Sequence, residues 1–312
     1  MMKVRSVSGS PLGRRHVLAM LGGVALSGLS PARWAQAGDA AASALAFDGD
    51  ALVVAGAQVW RHDLSGGASA TLATPRPHIR ALATHPARTG RLFAASDGGG
   101  LDRSDDGGRT WAAASGGLPQ AQVAALAIAA GAQDTVYAAV AGDGLWQSED
   151  AGENWSFVMD RPWIAEAERE MLTLASVNLA SGMGGIWIYA GTERGLTRVP
   201  DCFCRWQDVV AGDAMDALVA GTPPAPEAPL PEGEPVLALA SAMAAPERFV
   251  AGLPSGLWAS TDGGVTWSRR SGLVATALAV HPTEPSRIAA ATADGVILSH
   301  DGGASWAALP TT

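Results

Sequence analysis

The sequence of 312 residues is 48% hydrophobic and only 16% charged, a composition that excludes a largely disordered chain. Residues 1–37 hold five basic residues and no acidic one, so residues 38–312 carry 16 basic against 30 acidic residues, a formal charge of −14. This charge disfavours nucleic acid and anionic membranes as partners and favours basic proteins or cations.

The N-terminal segment has the order of regions expected of a secretory signal. Basic residues precede an apolar stretch over Val17–Leu29, and Ala35-Gln36-Ala37 offers a small-x-small cleavage site. Because Arg14 and Arg15 stand just before apolar residues, the segment resembles the twin-arginine translocation motif. We predict a signal peptide over residues 1–37 and a periplasmic mature protein of residues 38–312. The alternative is a chance arginine pair in a general secretory signal.

Four segments of the chain align without gaps on the pattern Ser-x-Asp-x-Gly-x-(Thr/Ser/Asn)-Trp. We call them the box turns. Their serine, aspartate, glycine and tryptophan residues are Ser104, Asp106, Gly108 and Trp111; Ser148, Asp150, Gly152 and Trp155; Ser260, Asp262, Gly264 and Trp267; and Ser299, Asp301, Gly303 and Trp306. With Trp206 of a unit without a box included, the last tryptophans of successive units are 44, 51, 61 and 39 residues apart. Such repetition indicates a repeat architecture, in which each copy marks one structural unit.

The box turns resemble the Asp box of the BNR-type β-propeller repeat. Around each box, short apolar strands alternate with Gly-rich turns, which predicts four strands per unit. Two further units without a box run through Leu52–Arg61 and Ile186–Arg198. We therefore predict an all-β propeller of six blades, with seven as the alternative. The resemblance implies that the boxes pin the hairpin between third and fourth strands, with a tryptophan buried between blades.

Two insertions interrupt the spacing of the repeats. Residues 160–170 predict a short helix that begins at Pro162. Residues 207–234 end in a proline-rich acidic run, which predicts an extended, mobile segment. Since each insertion follows a fourth strand, both are expected on the face that carries the turns between second and third strands.

Four acidic residues, Asp97, Asp143, Glu193 and Asp294, fall in turns between second and third strands. We expect them to form an acidic ring near one mouth of the central channel. Three interpretations stay open for them: ordinary turn chemistry, ligand binding, or the carboxylate pair of a glycosidase. A sialidase would also need a tyrosine nucleophile, but Tyr137 and Tyr189 sit at equivalent strand positions and are read as strand aromatics.

The cysteines and histidines give only weak indications of a redox or metal site. Cys202 and Cys204 would close a very small ring, so we expect half-buried thiols, with redox or metal chemistry as the alternative. His85-Pro86 and His281-Pro282 occupy matching places at the ends of first strands, which repeat architecture explains without a metal. We predict no catalytic residue, no metal site and no cofactor.

The chain is most similar in overall make-up to the photosystem II stability/assembly factor group of propellers, and more distantly to sialidase and sortilin propellers. The resemblance implies an exported, non-enzymatic, monomeric propeller that binds a protein partner or assists the assembly of a complex. The acidic charge indicates a basic partner. The alternative function is a glycoside hydrolase of the Asp-box propeller type.

Overall fold

The computed structural model describes residues 42–179, 185–210 and 228–309. The chain divides after Gln36 into two units, and every described residue belongs to the second, Ala37–Thr312. The predicted signal over residues 1–37 and most of the second insertion, residues 211–227, lie outside the described residues. Within the described ranges, no helix has the length and apolar character needed to cross a membrane.

The strands of the first three blades follow each other in chain order, each hydrogen-bonded to the next and antiparallel to it. Blade 1 contains β1 (Ala44–Asp48), β2 (Ala51–Ala55), β3 (Val59–Asp63) and β4 (Ser69–Thr71). Blade 2 contains β5 (Ile79–Thr84), β6 (Leu92–Ser96), β7 (Leu101–Ser104) and β8 (Ala112–Ala113), with a 3-10 helix over Pro86–Arg88. Blade 3 contains β9 (Val123–Ile128), β10 (Val136–Val140), β11 (Gly144–Ser148) and β12 (Ser156–Asp160).

The second half repeats this order after a small separate hairpin of β13 (Trp163–Ile164) and β14 (Ala167–Glu168). Blade 4 contains β15 (Met171–Asn178), β16 (Ile186–Thr192) and β17 (Gly195–Pro200). Blade 5 contains β18 (Ala238–Ala242), β19 (Ala245–Leu253), β20 (Gly256–Ser260) and β21 (Ser268–Ser271). Blade 6 contains β22 (Ala277–Val280), β23 (Ile288–Thr292), β24 (Gly295–Ser299) and β25 (Ala307–Ala308).

The six blades close into a ring. Each first strand contacts the first strand of the next blade, and β22 of blade 6 contacts β1 of blade 1. The prediction of an all-β, six-bladed propeller is therefore confirmed for the described residues.

Antiparallel order places the turns between second and third strands on one face, the turn face. The hairpins between third and fourth strands lie on the opposite face, the box face.

Blade 4 departs from the four-stranded pattern. Its fourth strand is reduced to one bridge, in which the backbones of Arg198 and Gln207 exchange hydrogen bonds of 3.1 and 2.8 Å. Beyond it, Ala228 pairs with Thr266 of the blade 5 box turn. The second insertion was expected on the turn face, but its described end therefore begins on the box face.

A leucine flanked by small residues recurs in every first strand and explains how the blades approach each other at the axis. Leu126 packs against Ala81 and Ala83 of the preceding blade. Since side chains alternate along a strand, the leucine points to one neighbouring blade, and the small residues beside it make room for the other neighbour's leucine. We call this set the leucine ring; its members are Leu45, Leu82, Leu126, Leu174, Leu239 and Leu278.

The four box turns share one hydrogen-bond pattern. In blade 3, Ser148 Oγ accepts from the amide of Gly152 at 2.8 Å, and Asp150 Oδ1 accepts from the amide of Asn154 at 2.8 Å. Gly152 has a φ of 89°, a left-handed conformation that favours glycine. The aspartate therefore holds the hairpin between third and fourth strands through bonds to the backbone of its own turn.

The box tryptophans differ in burial. Trp155 and Trp267 are each 6% exposed, whereas Trp111 and Trp306 are half-buried. The Trp155 indole donates to Ala114 O of the preceding blade at 2.9 Å. The indole of Trp306 donates within its own turn, to Gly303 O at 3.2 Å. The contact between blades therefore varies from box to box.

The box aspartates predict a loss of stability in acid. Hydrogen bonds from Asn154 lower the pKa of Asp150 to about 2, and those from Thr110 lower the pKa of Asp106 to about 2. A depressed carboxyl pKa stabilises the fold above the unfolded value of about 4, and this contribution is lost as the pH falls from about 4 to about 2. Asp150→Asn should therefore lower the urea midpoint at pH 7, and the midpoints of variant and native protein should converge as the pH approaches 2. An unchanged midpoint at pH 7 would contradict the prediction.

Candidate functional site

The four predicted acidic residues lie in turns of the turn face, and all four are exposed. Asp97 forms an ion pair with Arg80 at 3.2 Å and accepts a hydrogen bond from Gln122 at 3.0 Å. Asp143 Oδ2 accepts from the indole of Trp146 at 2.5 Å. The turns thus place these carboxylates at the surface, and two of them are already engaged by neighbouring side chains.

The described lining of the central channel comes from the first strands. Two cavities, of about 120 and 170 Å³, lie along the axis, and the leucine ring lines both. The other residues that line them come from the first strands and their ends, with Arg80 at one cavity and His85 at the other. None of the four predicted acidic residues lines either cavity. Asp97 meets the lining through its ion-pair partner Arg80, and the acidic ring at the mouth stays a prediction.

The first insertion forms a hairpin and not the predicted helix. Trp163 pairs with Glu168, and the turn residues Ala165 and Glu166 have φ values of 51° and 61°. The guanidinium of Arg161 forms ion pairs with both Glu168 and Glu170. Residues two apart lie on one side of an extended chain, so the spacing of these glutamates fits a strand that faces one arginine.

This hairpin is tied to the turn face of blade 3. Glu170 Oε2 accepts from the amide of Gly142 at 3.0 Å, next to the turn residue Asp143. The backbone of Arg169 donates to Pro162 O at 2.9 Å and closes the hairpin. The hairpin is therefore closed by its own backbone and anchored to blade 3 through Glu170.

Two large apolar side chains are exposed beside these acidic groups. Trp163 on the hairpin is 68% exposed and Phe157 on β12 is 46% exposed. The ring of Phe157 packs edge-on against Trp146, with centroids 5.8 Å apart. We call this set the blade-3 surface: Asp143, Trp146, Phe157, Trp163, Glu166 and Glu168. It combines exposed aromatic rings with exposed carboxylates.

Trp163 was not among the predicted site residues. The signal was available, because Trp163 is the tryptophan of residues 38–312 that falls inside an insertion and outside every predicted strand and box. The insertion was predicted to be a helix, and a tryptophan on a short amphipathic helix is usually counted toward the core. Trp163 was therefore not treated as a contact residue. An aromatic residue in an insertion is better treated as a candidate contact residue.

The tyrosines and the predicted histidines have structural roles. Burial raises the pKa of Tyr137, and the hydroxyl of Tyr189 donates to Gly263 O at 2.8 Å inside the core. Burial lowers the pKa of His85, whose Nδ1 accepts from the amide of Ala87 at 3.2 Å. The reading of both tyrosines as strand aromatics is consistent with this burial.

One cluster in the described residues has the side chains of a metal site. Asp50, His281 and Glu284 offer oxygen and nitrogen atoms within 4.8 Å of one another at the contact of blades 1 and 6. Arg287 forms ion pairs with both carboxylates, at 3.7 and 3.0 Å, and His281 Nδ1 accepts from the amide of Glu284. These contacts already engage all three side chains, so the cluster is better described as a polar contact between blades 1 and 6 than as a cation site.

Cys202 and Cys204 form a disulfide, which corrects the expectation of half-buried thiols. Both cysteines are exposed, and they lie in the turn that takes the place of a box in blade 4. The central residue Phe203 has a φ of 50°, a left-handed conformation that bends the backbone sharply. This bend lets the two sulfurs meet across a single residue.

Comparison with known proteins supports the fold. No protein-family model matches the sequence, and no curated protein matches it either. The GH74 xyloglucanase of Xanthomonas campestris is 18% identical with a TM-score of 0.57; the match covers 86% of this chain and 53% of that enzyme. This chain therefore spans about half the length of that enzyme.

Two further solved structures are similar. The propeller domain of Cps50 (Swd1) from Myceliophteria thermophila is 14% identical with a TM-score of 0.55, covering 83% of this chain and 97% of that domain. YCF48 bound to D1 peptide is 12% identical with a TM-score of 0.47, covering 83% of this chain and 93% of that one. The last likeness is too weak to support an inference. At these identities the similarities show the fold alone: the chain is a six-bladed β-propeller.

Proposed function

We propose that this chain is an exported propeller of the Asp-box type that binds a protein partner through the blade-3 surface and does not turn over a substrate. The observation that carries the proposal is Trp163, 68% exposed on a hairpin that is fixed to the turn face. An indole ring can bury about 150–250 Å² in a complex, and tryptophan is enriched among residues that dominate binding energy.

The hairpin favours binding because its conformation is already set. Arg161 holds Glu168 and Glu170, and Glu170 in turn accepts from the amide of Gly142. A contact residue on a rigid element loses little conformational entropy when a partner arrives. Loops held on a rigid scaffold are also where binding residues concentrate.

The charge of the blade-3 surface indicates a partner with basic side chains. Asp143 and Glu166 are exposed on this surface together with Glu168, which pairs with Arg161, and residues 38–312 carry a formal charge of −14. Opposite charges at the rim of an interface raise the association rate and select partners, and salt weakens their effect. We therefore expect complex formation to slow as the ionic strength rises.

The glycosidase alternative finds less support in the channel. Its two cavities of about 120 and 170 Å³ are smaller than the roughly 300–1,000 Å³ usual for ligand pockets, and no carboxylate lines them. A glycosidase needs two carboxylates that flank the scissile bond. A surface that binds another protein needs no such cavity.

Affinity capture from periplasmic extract tests the proposal. Trp163→Ala should lower the amount of the main captured partner at least tenfold, since truncating a central tryptophan costs about 2 kcal/mol or more. Met243→Ala is the matched control, because Met243 is also a large exposed apolar residue but lies in a hairpin between first and second strands, on the box face. Equal capture by all three proteins would overturn the proposal, and so would robust hydrolysis of a glycoside panel by the native protein.

A further inference from the structure

The disulfide of blade 4 has two features that a purely structural disulfide does not need. Cys202 and Cys204 are both exposed, and only one residue separates them. A disulfide is thought to stabilise a protein mainly by closing a loop in the unfolded chain, and the effect is smallest for the shortest loops. Exposure leaves the sulfurs open to attack by a thiolate, the step by which disulfides exchange.

The turn around the disulfide is held by contacts that do not involve sulfur. The indole of Trp206 donates to Asp160 O of blade 3 at 2.7 Å, and the ring of Phe203 packs edge-on against Tyr137. The amide of Asp201 donates to Ile186 O at 3.1 Å. The blade is therefore expected to keep its fold when the disulfide opens.

From these observations we propose that Cys202 and Cys204 form a thiol–disulfide exchange site that oxidises a protein or peptide segment carrying two accessible cysteine thiols. The site lies on the box face and is independent of the blade-3 surface. The charged neighbours in the sequence give the reaction a direction: Arg205 follows Cys204, and Asp201 precedes Cys202. A neighbouring cation lowers the pKa of a thiol and makes it the better leaving group.

The reaction balances as a two-electron exchange. One substrate thiolate attacks Sγ of Cys202, the bond between Cys202 and Cys204 breaks, and Cys204 leaves as a thiolate. The second substrate thiolate then attacks the substrate sulfur of the mixed disulfide and releases Cys202 as a thiolate. The substrate gains a disulfide and loses two electrons and two protons, which Cys202 and Cys204 take up as two thiols.

Incubation of the purified oxidised protein with a reduced synthetic peptide containing two cysteines tests the site. The chain has only two cysteines, so thiol counting by alkylation and mass spectrometry reports on this site alone. We expect the folded protein to gain two thiols as the peptide loses two, with the melting temperature lowered by no more than a few degrees. A Cys202→Ser/Cys204→Ser double variant should leave the peptide reduced.

The charged neighbours test the direction of attack. Arg205→Gln should slow the exchange about threefold, as expected for a change of about one pKa unit in a leaving group with a Brønsted coefficient near 0.5. Asp201→Asn is the matched control and should not slow it. Acid quenching should trap the mixed disulfide on Cys202.

Three results would overturn the proposal. One is a disulfide that the peptide reduces only after the chain is unfolded in denaturant. Another is a folded protein, purified without reductant, that contains two alkylatable thiols from the start. The third is a mixed disulfide trapped on Cys204 together with an unchanged rate in Arg205→Gln, since that would remove the assigned direction and the role of the cation.

Discussion

Replacing Trp155 by alanine is expected to lower the free energy of unfolding by about 3–5 kcal/mol, the cost usual for removing a buried large aromatic side chain. Trp155 is 6% exposed, its amide donates to Gly116 O at 2.9 Å, and its indole donates to Ala114 O at 2.9 Å. The substitution removes packing between blades 2 and 3 and leaves the Ala114 carbonyl without this donor. Urea unfolding followed by circular dichroism measures the change.

Trp306→Ala is the matched control within the same motif. Trp306 is half-buried and its indole donates inside its own turn, so the expected loss is about 1–2 kcal/mol. The difference between the two losses in free energy of unfolding is more informative than either value, because both variants remove the same side chain from the same kind of turn. Equal losses would contradict the conclusion that the box tryptophans differ in how they join neighbouring blades.

Leu126→Asp is the second substitution with a large expected effect. Leu126 packs between blades 2 and 3 and lines both channel cavities, so an aspartate there would face alanine and leucine side chains. An uncompensated buried charge costs about 3–5 kcal/mol. Burial should raise the pKa of the introduced carboxyl, so the loss should shrink as the pH falls below that raised value and the group becomes neutral.

Thr276→Asp is the control for this substitution. Thr276 is exposed and lines the cavity that also contains Arg80, one residue before the first strand of blade 6. An aspartate at this exposed position stays hydrated, so the free energy of unfolding should change by no more than about 0.5 kcal/mol. If Leu126→Asp lowered the free energy of unfolding no more than Thr276→Asp does, the conclusion that the leucine ring excludes water from its part of the channel would be wrong.

The repeat was predictable because its physical cause is local. Ser148, Asp150 and Gly152 make their bonds within one turn, so the same residues at the same spacing give the same turn in every copy. The alternation of leucine with small residues in the first strands is equally local. Each unit is a sheet of four strands that must bury both of its faces against neighbouring units, so six units give six blades.

The features that were predicted wrongly depend on contacts between distant residues or on unusual backbone conformations. The hairpin at Trp163 forms because Arg161 meets two glutamates, a pairing that helical propensity does not include. The disulfide closes because Phe203 adopts a positive φ that is rare for a bulky residue.

Cross-linking from position 163 tests the central claim that the blade-3 surface binds a protein partner. A photoreactive amino acid replaces Trp163 in one protein and Met243 in another, and both are irradiated in the periplasm of cells that produce them. We expect one prominent cross-linked partner from position 163, absent from position 243, and weaker in a protein that also carries Asp143→Asn. The same cross-links from both positions, or none from position 163 with strong ones from position 243, would contradict the claim.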